Sequence, residues 1–141
     1  MESIFEYYNP NPIYDEKKHR HKRWIRCDCT VRTISKALDV SWTDAYHMLC
    51  EAGESIGEMP DTRDAVEIVL LNNGFETVKM PRPRLGEQRE RVRDIVEMTD
   101  DGDTVIVCNC RHHTVCLQDG KIWDTWNSAN LVVFTYWIKI L

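Results

Sequence analysis

The chain has 141 residues, of which 43% are hydrophobic and 29% charged, and its formal net charge is -5 at pH 7. That length suits one domain with a buried core, and the acidic balance gives no electrostatic case for binding nucleic acid. No apolar run approaches the roughly 20 residues that span a bilayer, so we expect no membrane partner. The first residues lack a signal-peptide pattern, and the six cysteines are therefore expected to be reduced thiols in the cytoplasm.

The first 26 residues are predicted to be irregular and rich in basic side chains. The run Asn9-Pro10-Asn11-Pro12 is typical of turns. Six Lys and Arg residues then fall between positions 17 and 26. Such a cluster is either a patch for an acidic or phosphate group or a solvated loop. We place a single folded domain at residues 27–141.

Cys29 is predicted to lie in the first turn of a helix. Asp28 before it is a good N-cap residue. The apolar residues that follow recur at three- and four-residue steps: Val31, Ile34, Ala37 and Leu38. Unpaired N–H groups and the helix macrodipole at this position favour a thiolate over a thiol. A thiolate held in this way can attack a carbonyl if a histidine lies nearby.

The hydrophobic period changes along the chain. Up to about residue 98, a helical period predicts four helices: over 29–38, from Ser41 to Gly53, after Asp61, and a charged one over 87–98. A short strand is predicted between the last two helices, over 75–80. After residue 102 a period of two predicts strands over 104–109, 113–118, 121–126 and 132–140. Helices followed by an antiparallel sheet indicate an α+β fold, with the N-terminal helices packed on the C-terminal sheet.

A hairpin in the second half places a histidine beside an aspartate. Asp119-Gly120 is a strong two-residue turn signal, and it fixes the pairing of the two flanking strands. His113 and Asp124 then share one face as diagonal neighbours, with backbones roughly 7–8 Å apart. An imidazole and a carboxylate can close that gap, so Asp124 would orient His113 and stabilise its charged form.

A second histidine arrangement stays open. His112 falls on the opposite face of the same strand, across from Asn127. A Cys-His-Asn arrangement is chemically reasonable, but it requires His112 to lie within the strand. The pair formed by His113 and Asp124 is preferred.

The cysteines also allow a zinc interpretation. Cys27 and Cys29 are separated by one residue, and Cys108, Cys110 and His112 alternate along a predicted strand. Structural zinc sites usually have a gap of two or more residues inside a tight knuckle, so the spacing is poor. We therefore expect no metal and no cofactor.

The motifs, taken in order, resemble those of the papain-like cysteine peptidases, and most closely a group of small phage and bacterial papain-fold proteins. The pattern of that group is an Asn-Pro-rich start, an Asp-Cys-x-x-Arg helix, a helix that opens near a Trp, a His strand and an Asp-Gly-Lys-x-x-Asp-Thr hairpin. The matching residues here are Asn9-Pro10-Asn11-Pro12, Asp28-Cys29-Thr30-Val31-Arg32, Trp42, His113 and Asp119-Gly120-Lys121-Ile122-Trp123-Asp124-Thr125.

The resemblance implies a papain-like domain that acts as a thiol hydrolase, either a cysteine peptidase or an isopeptidase. It implies Cys29 as the nucleophile, His113 as the general base and acid, and Asp124 as the residue that orients the histidine. The substrate would be a protein or a peptide, and no cofactor would be needed. The oligomeric state is not predicted.

One feature departs from the family. Papain-like enzymes usually place a Gln about six residues before the cysteine to bind the oxyanion, and here that position holds Arg23. The candidate oxyanion donors are therefore Asn11 and Arg23, beside the Cys29 backbone N–H. The carboxylate of Asp28 is expected to raise the pKa of the neighbouring thiol. Arg32 either offsets that charge or is an ordinary residue of the helix surface.

Two other functions stay open. One is a transglutaminase-like acyl transferase, which uses the same three residue types and differs in the nucleophile that resolves the acyl-enzyme. The other is a non-catalytic protein on the same fold, for example a phage-encoded factor in the host cytosol. Such a factor would bind a host protein through the basic segment and through Tyr7 and Tyr8.

Overall fold

The computed structural model describes residues 3–14 and 28–141, so the basic run at 17–26 and Cys27 lie outside the described residues. The elements in chain order are β1 Phe5–Tyr7, α1 Cys29–Leu38, α2 Trp42–Ile56, α3 Arg63–Asn72, β2 Glu76–Lys79, α4 Val92–Ile95, a 3-10 helix Val96–Thr99, β3 Thr104–Cys110, β4 His113–Gln118, β5 Lys121–Asp124 and β6 Val133–Ile140. The predicted α+β class is confirmed. Among the described residues, no helix has both the length and the apolar character needed to cross a membrane.

The sheet has six strands in the order β1-β5-β4-β3-β6-β2, and its pairs are antiparallel except for β1 with β5. The irregular structure predicted for residues 1–26 is wrong at Phe5–Tyr7, which runs parallel to β5 with Tyr7 opposite Asp124. Three residues are too few to show a strand period, and the edge of β5 is what orders them.

Two apolar layers cover the two faces of the sheet. Helices α1, α2 and α3 pack on one face, against residues such as Val105 and Val107 of β3. Helix α4 and the 3-10 helix pack on the other face, against Ile106 and Cys108 of the same strand. Because successive side chains of a strand point to opposite faces, β3 is buried along almost its whole length.

Helix α1 has the predicted bounds, but the side chain of Asp28 does not cap its N-terminus as predicted. Asp28 occupies the N-cap position, but its side chain accepts no hydrogen bond from a backbone N–H of the helix. Its main-chain carbonyl accepts from the N–H of Arg32. The carboxylate is therefore left for partners outside the helix backbone.

Helix α2 does not end at Gly53 as predicted, but continues to Ile56 and ends at Gly57, which has a φ of 72°. Gly53 lies inside the helix because the following loop folds back on it. A Cβ added at Gly53 would lie 2.7 Å from the main-chain oxygen of Glu58. The glycine therefore serves a close approach of two backbone segments, and not a helix end.

Replacing Gly53 by alanine is expected to destabilise the protein by about 1–3 kcal/mol, although alanine is the better helix former. The added methyl group has to push the backbone of Glu58 and Met59 away. Urea denaturation followed by circular dichroism measures the effect. The control is Glu54→Ala, at an exposed position of the same helix, and an equal or higher stability of Gly53→Ala would contradict the packing described.

The third and fourth helices also differ from prediction. Helix α3 is capped by Thr62, whose hydroxyl accepts from the N–H of Ala65, and not by Asp61. The predicted fourth helix over 87–98 is reduced to α4 and the 3-10 helix. Its first residues pair instead with the chain at the start of β6, where the carbonyl of Glu90 accepts from the N–H of Val133. This long-range pairing overrides the local helical pattern.

Candidate active site

Helix α1 is fastened to strand β4 so that Cys29 faces the start of that strand. The hydroxyl of Thr33 donates to the carbonyl of Thr114 at 3.0 Å, and both threonines are buried. This bond joins α1, which begins with Cys29, to the residue that follows His113. Sequence reasoning missed both threonines, because neither a hydroxyl on the inner face of a helix nor a main-chain carbonyl of a strand has a periodic signal.

The hairpin brings His113 and Asp124 together as predicted. The observed pairing of Gln118 with Lys121 and of Leu117 with Ile122 confirms the two-residue turn. His113 is the first residue of β4 and Asp124 the last of β5. The Nε2 atom of His113 lies 2.6 Å from an Oδ2 oxygen of Asp124. Strand β5 ends two residues earlier than predicted.

Asp124 is a buried carboxylate with a full set of donors. Oδ2 accepts from the hydroxyl of Ser128 at 2.8 Å, while Oδ1 accepts from the N–H of Thr125 at 2.7 Å and from Nη2 of Arg32 at 3.2 Å. Burial raises the pKa of Asp124, but the hydrogen bond and charge of His113, with the donors of Ser128 and Thr125, bring it below its ordinary value. Asp124 is therefore an anion at neutral pH.

Cys29 and His113 line the same cleft, and each shifts the pKa of the other. Burial raises the pKa of the Cys29 thiol, but the hydrogen bond and charge of His113 outweigh burial, aided by the Thr114 main chain and the charge of Arg32, so the pKa lies below 9.0. Burial lowers the pKa of His113, but its bonds to Asp124 and to Cys29 raise it to about 9. Since Nε2 is held by Asp124, Nδ1 is the ring atom left for the thiol.

Replacing Asp124 by asparagine is expected to lower the pKa of His113 from about 9 by roughly 1–3 pH units. The carboxylate stabilises the charged ring, so its loss favours the neutral ring. NMR titration of the His113 ring protons measures the midpoint. Asp119→Asn is the control, because Asp119 lies in the hairpin turn at a φ of 55°, which asparagine tolerates. Equal midpoints in the two variants would contradict the assigned pair.

Arg32 is buried between two carboxylates, so the interpretation as an ordinary surface residue is wrong. Its exposed fraction is 5%. Nη1 donates to Oδ1 of Asp28 in a close ion pair, and Nη2 donates to Asp124. Asp28 also accepts from Nε1 of Trp42 at 3.1 Å. The pKa of Cys29 is lowered mainly by His113, and the Arg32 charge adds a smaller effect in the same direction; the expected rise caused by Asp28 is not among the contributions.

Of the two candidate oxyanion donors, only Asn11 lies within the described residues. The side-chain amide of Asn11 donates to Oδ2 of Asp28 at 2.9 Å, and its Oδ1 accepts from the N–H groups of Ile13 and Tyr14. Asn11 thus ties the N-terminal segment to the residue before Cys29, and its role as an oxyanion donor stays a prediction. Arg23 lies outside the described residues.

The alternative pair, His112 and Asn127, is not joined by a hydrogen bond like the one between His113 and Asp124. His112 lies in the exposed turn between β3 and β4 with a φ of 56°, and not within the strand. The Oδ1 atom of Asn127 accepts from the N–H of Ala129 at 3.1 Å, which closes a local turn. The contacts favour His113 with Asp124.

The site opens into a cleft of about 380 Å³ whose lining includes Cys29, His113, Thr114 and Asp61. Trp126 packs on the ring of His113 with the ring centres 4.8 Å apart, and 46% of its surface is exposed. The tryptophan covers part of the imidazole while the thiol side stays open. The hairpin register predicted from Asp119-Gly120 already pairs His113 with Trp126, and the observed ring contact agrees with that pairing.

Within residues 3–14 and 28–141, no three His, Cys, Asp or Glu side chains are gathered so that they could hold a metal ion. The zinc interpretation included Cys27, which lies outside those ranges. Cys108 is fully buried among apolar side chains, and burial raises the pKa of its thiol well above the ordinary value. Cys108 therefore behaves as a small hydrophobic residue.

Comparison with known proteins does not assign the chain to a family. No protein-family model matches the chain, and neither the curated proteins nor the solved structures contain a significant match.

Proposed function

We propose that this chain is a papain-like thiol hydrolase that cleaves amide bonds in a protein or peptide substrate. The single observation that carries the proposal is the hydrogen bond between His113 and Asp124 at the wall of a cleft that Cys29 also lines. A reactive thiol, a ring able to carry its proton and a carboxylate that orients the ring are the three parts of nucleophilic amide hydrolysis.

The directions of the pKa shifts suit that chemistry. The lowered pKa of Cys29 and the pKa of about 9 at His113 leave a range in which the thiolate and the imidazolium coexist. This range begins above the pKa of the thiol and ends as pH rises through that of the ring. Asp124 stays ionised throughout it, because its own pKa is below the ordinary value.

The reaction would proceed in two steps. The Cys29 thiolate attacks the carbonyl carbon, the C–N bond breaks, and His113 gives its proton to the departing amine. A thioester remains on Cys29. Neutral His113 then takes a proton from water, the hydroxide attacks the thioester carbon, and the C–S bond breaks. The acid product leaves, and the Cys29 thiolate remains beside the protonated ring. Asp124 keeps the ring oriented in both steps.

The first helix also supplies a donor for the developing oxyanion. Cys29 is the first residue of α1, and the first N–H groups of a helix have no partner inside the helix. Its N–H thus serves as one oxyanion donor. The positive end of the helix dipole further favours negative charge there.

The test is incubation of the protein with a mixed peptide library, with cleavage followed by mass spectrometry. Cleavage by the native chain and none by Cys29→Ala supports the proposal. Cys50→Ala is the matched control, because Cys50 lies in α2 and does not line the cleft. Added primary amines distinguish transfer from hydrolysis, because an acyl transferase yields amide products. Cleavage that persists in Cys29→Ala would overturn the proposal.

A further inference from the structure

Four charged side chains are joined in series next to Cys29, in the order Asp28, Arg32, Asp124 and His113. The charges alternate in sign along this charge series when the ring is protonated. The side chain of Asp28 is 14% exposed, and the other three are each 8% exposed or less. Charges so far from solvent are weakly screened, so a charge at one end of the series changes the energy of a charge at the other end.

Arg32 is shared between the two carboxylates of the charge series. Nη1 donates to Asp28 and Nη2 donates to Oδ1 of Asp124, while the buried Nε has no hydrogen-bond partner within residues 3–14 and 28–141. The other oxygen of Asp124, Oδ2, lies 2.6 Å from Nε2 of His113. Arg32 and the ring therefore interact with the same negative charge, and a stronger pull by Arg32 leaves less of that charge to stabilise the imidazolium.

Asp28 limits how strongly Arg32 acts on Asp124. Its Oδ2 accepts from Nδ2 of Asn11 at 2.9 Å and from Nε1 of Trp42 at 3.1 Å, so two neutral donors from outside α1 hold the carboxylate in place. Its Oδ1 is left for Arg32. The charges of Asp28 and Arg32 therefore oppose each other. Without the carboxylate, an uncompensated cation would lie beside Asp124.

We propose that Asp28 and Arg32 are positioning residues that set, through Asp124, the pH range in which the Cys29 thiolate and the His113 imidazolium coexist. This assignment rests on the proposed function and deepens it. A positive charge favours the thiolate and disfavours the imidazolium, so Arg32 moves the titration midpoints of the thiol and of the ring to lower pH. Asp28 opposes Arg32 and moves both midpoints to higher pH.

Other titratable groups lie near Cys29 and His113, and the test has to separate their effects from those of the charge series. Asp61 and His112 line the same cleft, but both are exposed, so solvent screens their charges. Cys110 of β3 also lines the cleft and stays a neutral thiol, because its pKa is about 12. Two tyrosines lie beside the series: Tyr7 of β1 is opposite Asp124, and Tyr46 of α2 lines a cavity together with Asp28.

The experiment measures two midpoints in each variant: that of Cys29 alkylation by iodoacetamide and that of the His113 ring protons by NMR. Asp28→Asn and Arg32→Gln each remove one charge and keep a polar side chain. Asp28→Asn is expected to lower both midpoints by roughly 0.5–1 pH unit, and Arg32→Gln is expected to raise both by a similar amount. The double variant, in which both charges are absent, should return both midpoints close to the native values.

Matched controls separate the charge series from the net charge of the protein. Asp44→Asn in α2 and Arg63→Gln in α3 make the same changes of net charge at exposed positions that do not line the cleft, and both midpoints should stay unchanged. Arg32→Lys keeps the positive charge, so its midpoints should lie closer to the native values than those of Arg32→Gln. Thermal denaturation of each variant verifies that it is folded.

The direction of the shifts decides between a charge effect and a purely structural role. Shifts of opposite sign that cancel in the double variant support the inference. A structural role would loosen the packing of Cys29 against the ring and raise the Cys29 midpoint in both single variants, so shifts of the same sign, or none, overturn the inference. If Arg32→Gln does not fold, a lower midpoint in Asp28→Asn supports the inference, and an unchanged or higher one overturns it.

The native chain tests the proposed function separately. Selective alkylation of native Cys29 with a midpoint below 9.0 leaves the proposed function standing, even where the variants overturn the inference. If iodoacetamide shows no selectivity for native Cys29, both proposals are wrong.

Discussion

Replacing His113 by alanine is expected to slow the alkylation of Cys29 by iodoacetamide at neutral pH by roughly 10–100-fold, because the thiolate is the reactive form. Burial alone raises the pKa of this thiol, and the hydrogen bond and charge of His113 are the main contributions that reverse the effect. Without the ring, Cys29 becomes a partly buried thiol that is mostly protonated. Mass spectrometry of tryptic peptides after timed labelling gives the rate at each cysteine.

The neighbouring histidine offers a matched control for this result. His112→Asn removes an exposed imidazole that lines the same cleft, and asparagine tolerates the positive φ at that position. The rate at Cys29 should change little. An equal decrease in His112→Asn and His113→Ala would mean that the general charge of the cleft, and not a particular ring, controls the thiol.

Replacing Arg32 by leucine is expected to destabilise the protein by about 3–5 kcal/mol. The guanidinium lies between Asp28 and Asp124 and is almost fully buried. Leucine fills part of the volume but leaves Asp28 without its cation and leaves Asp124 with His113 alone. Urea denaturation at neutral pH measures the free energy of unfolding.

Arg63→Leu is the control for the loss of an arginine, because Arg63 lies exposed at the start of α3. Its effect should remain within about 0.5 kcal/mol of zero. An equally small effect of Arg32→Leu would contradict this account. It would mean that the buried ion pairs of Arg32 with Asp28 and Asp124 do not contribute to the free energy of unfolding.

The parts of the site that the sequence predicts depend on short-range rules. The Asp119-Gly120 turn sets the pairing of its two strands, and this alone places His113 and Asp124 on one face. The helix start at Cys29 follows from local apolar periodicity, and α1 has the predicted bounds. In both cases the deciding residues are neighbours in the chain.

The parts that were missed depend on residues far apart in the chain. Arg32 and Asp124 are 92 positions apart, so the buried position of the arginine could not be read from its helix, although the four-residue step from Asp28 suggested a pair. Strand β1 exists because β5 offers an open edge. The helix predicted over 87–98 gives way to backbone pairing near Val133.

The central claim is that His113 turns Cys29 into a reactive thiolate, and the pH dependence of Cys29 alkylation tests it most directly. The iodoacetamide rate at Cys29 should rise to its plateau with a midpoint clearly below the ordinary pKa of 9.0, while the buried Cys110 and Cys116, whose pKa values are each about 12, stay nearly unlabelled. A midpoint at or above 9.0 for Cys29 would contradict the claim.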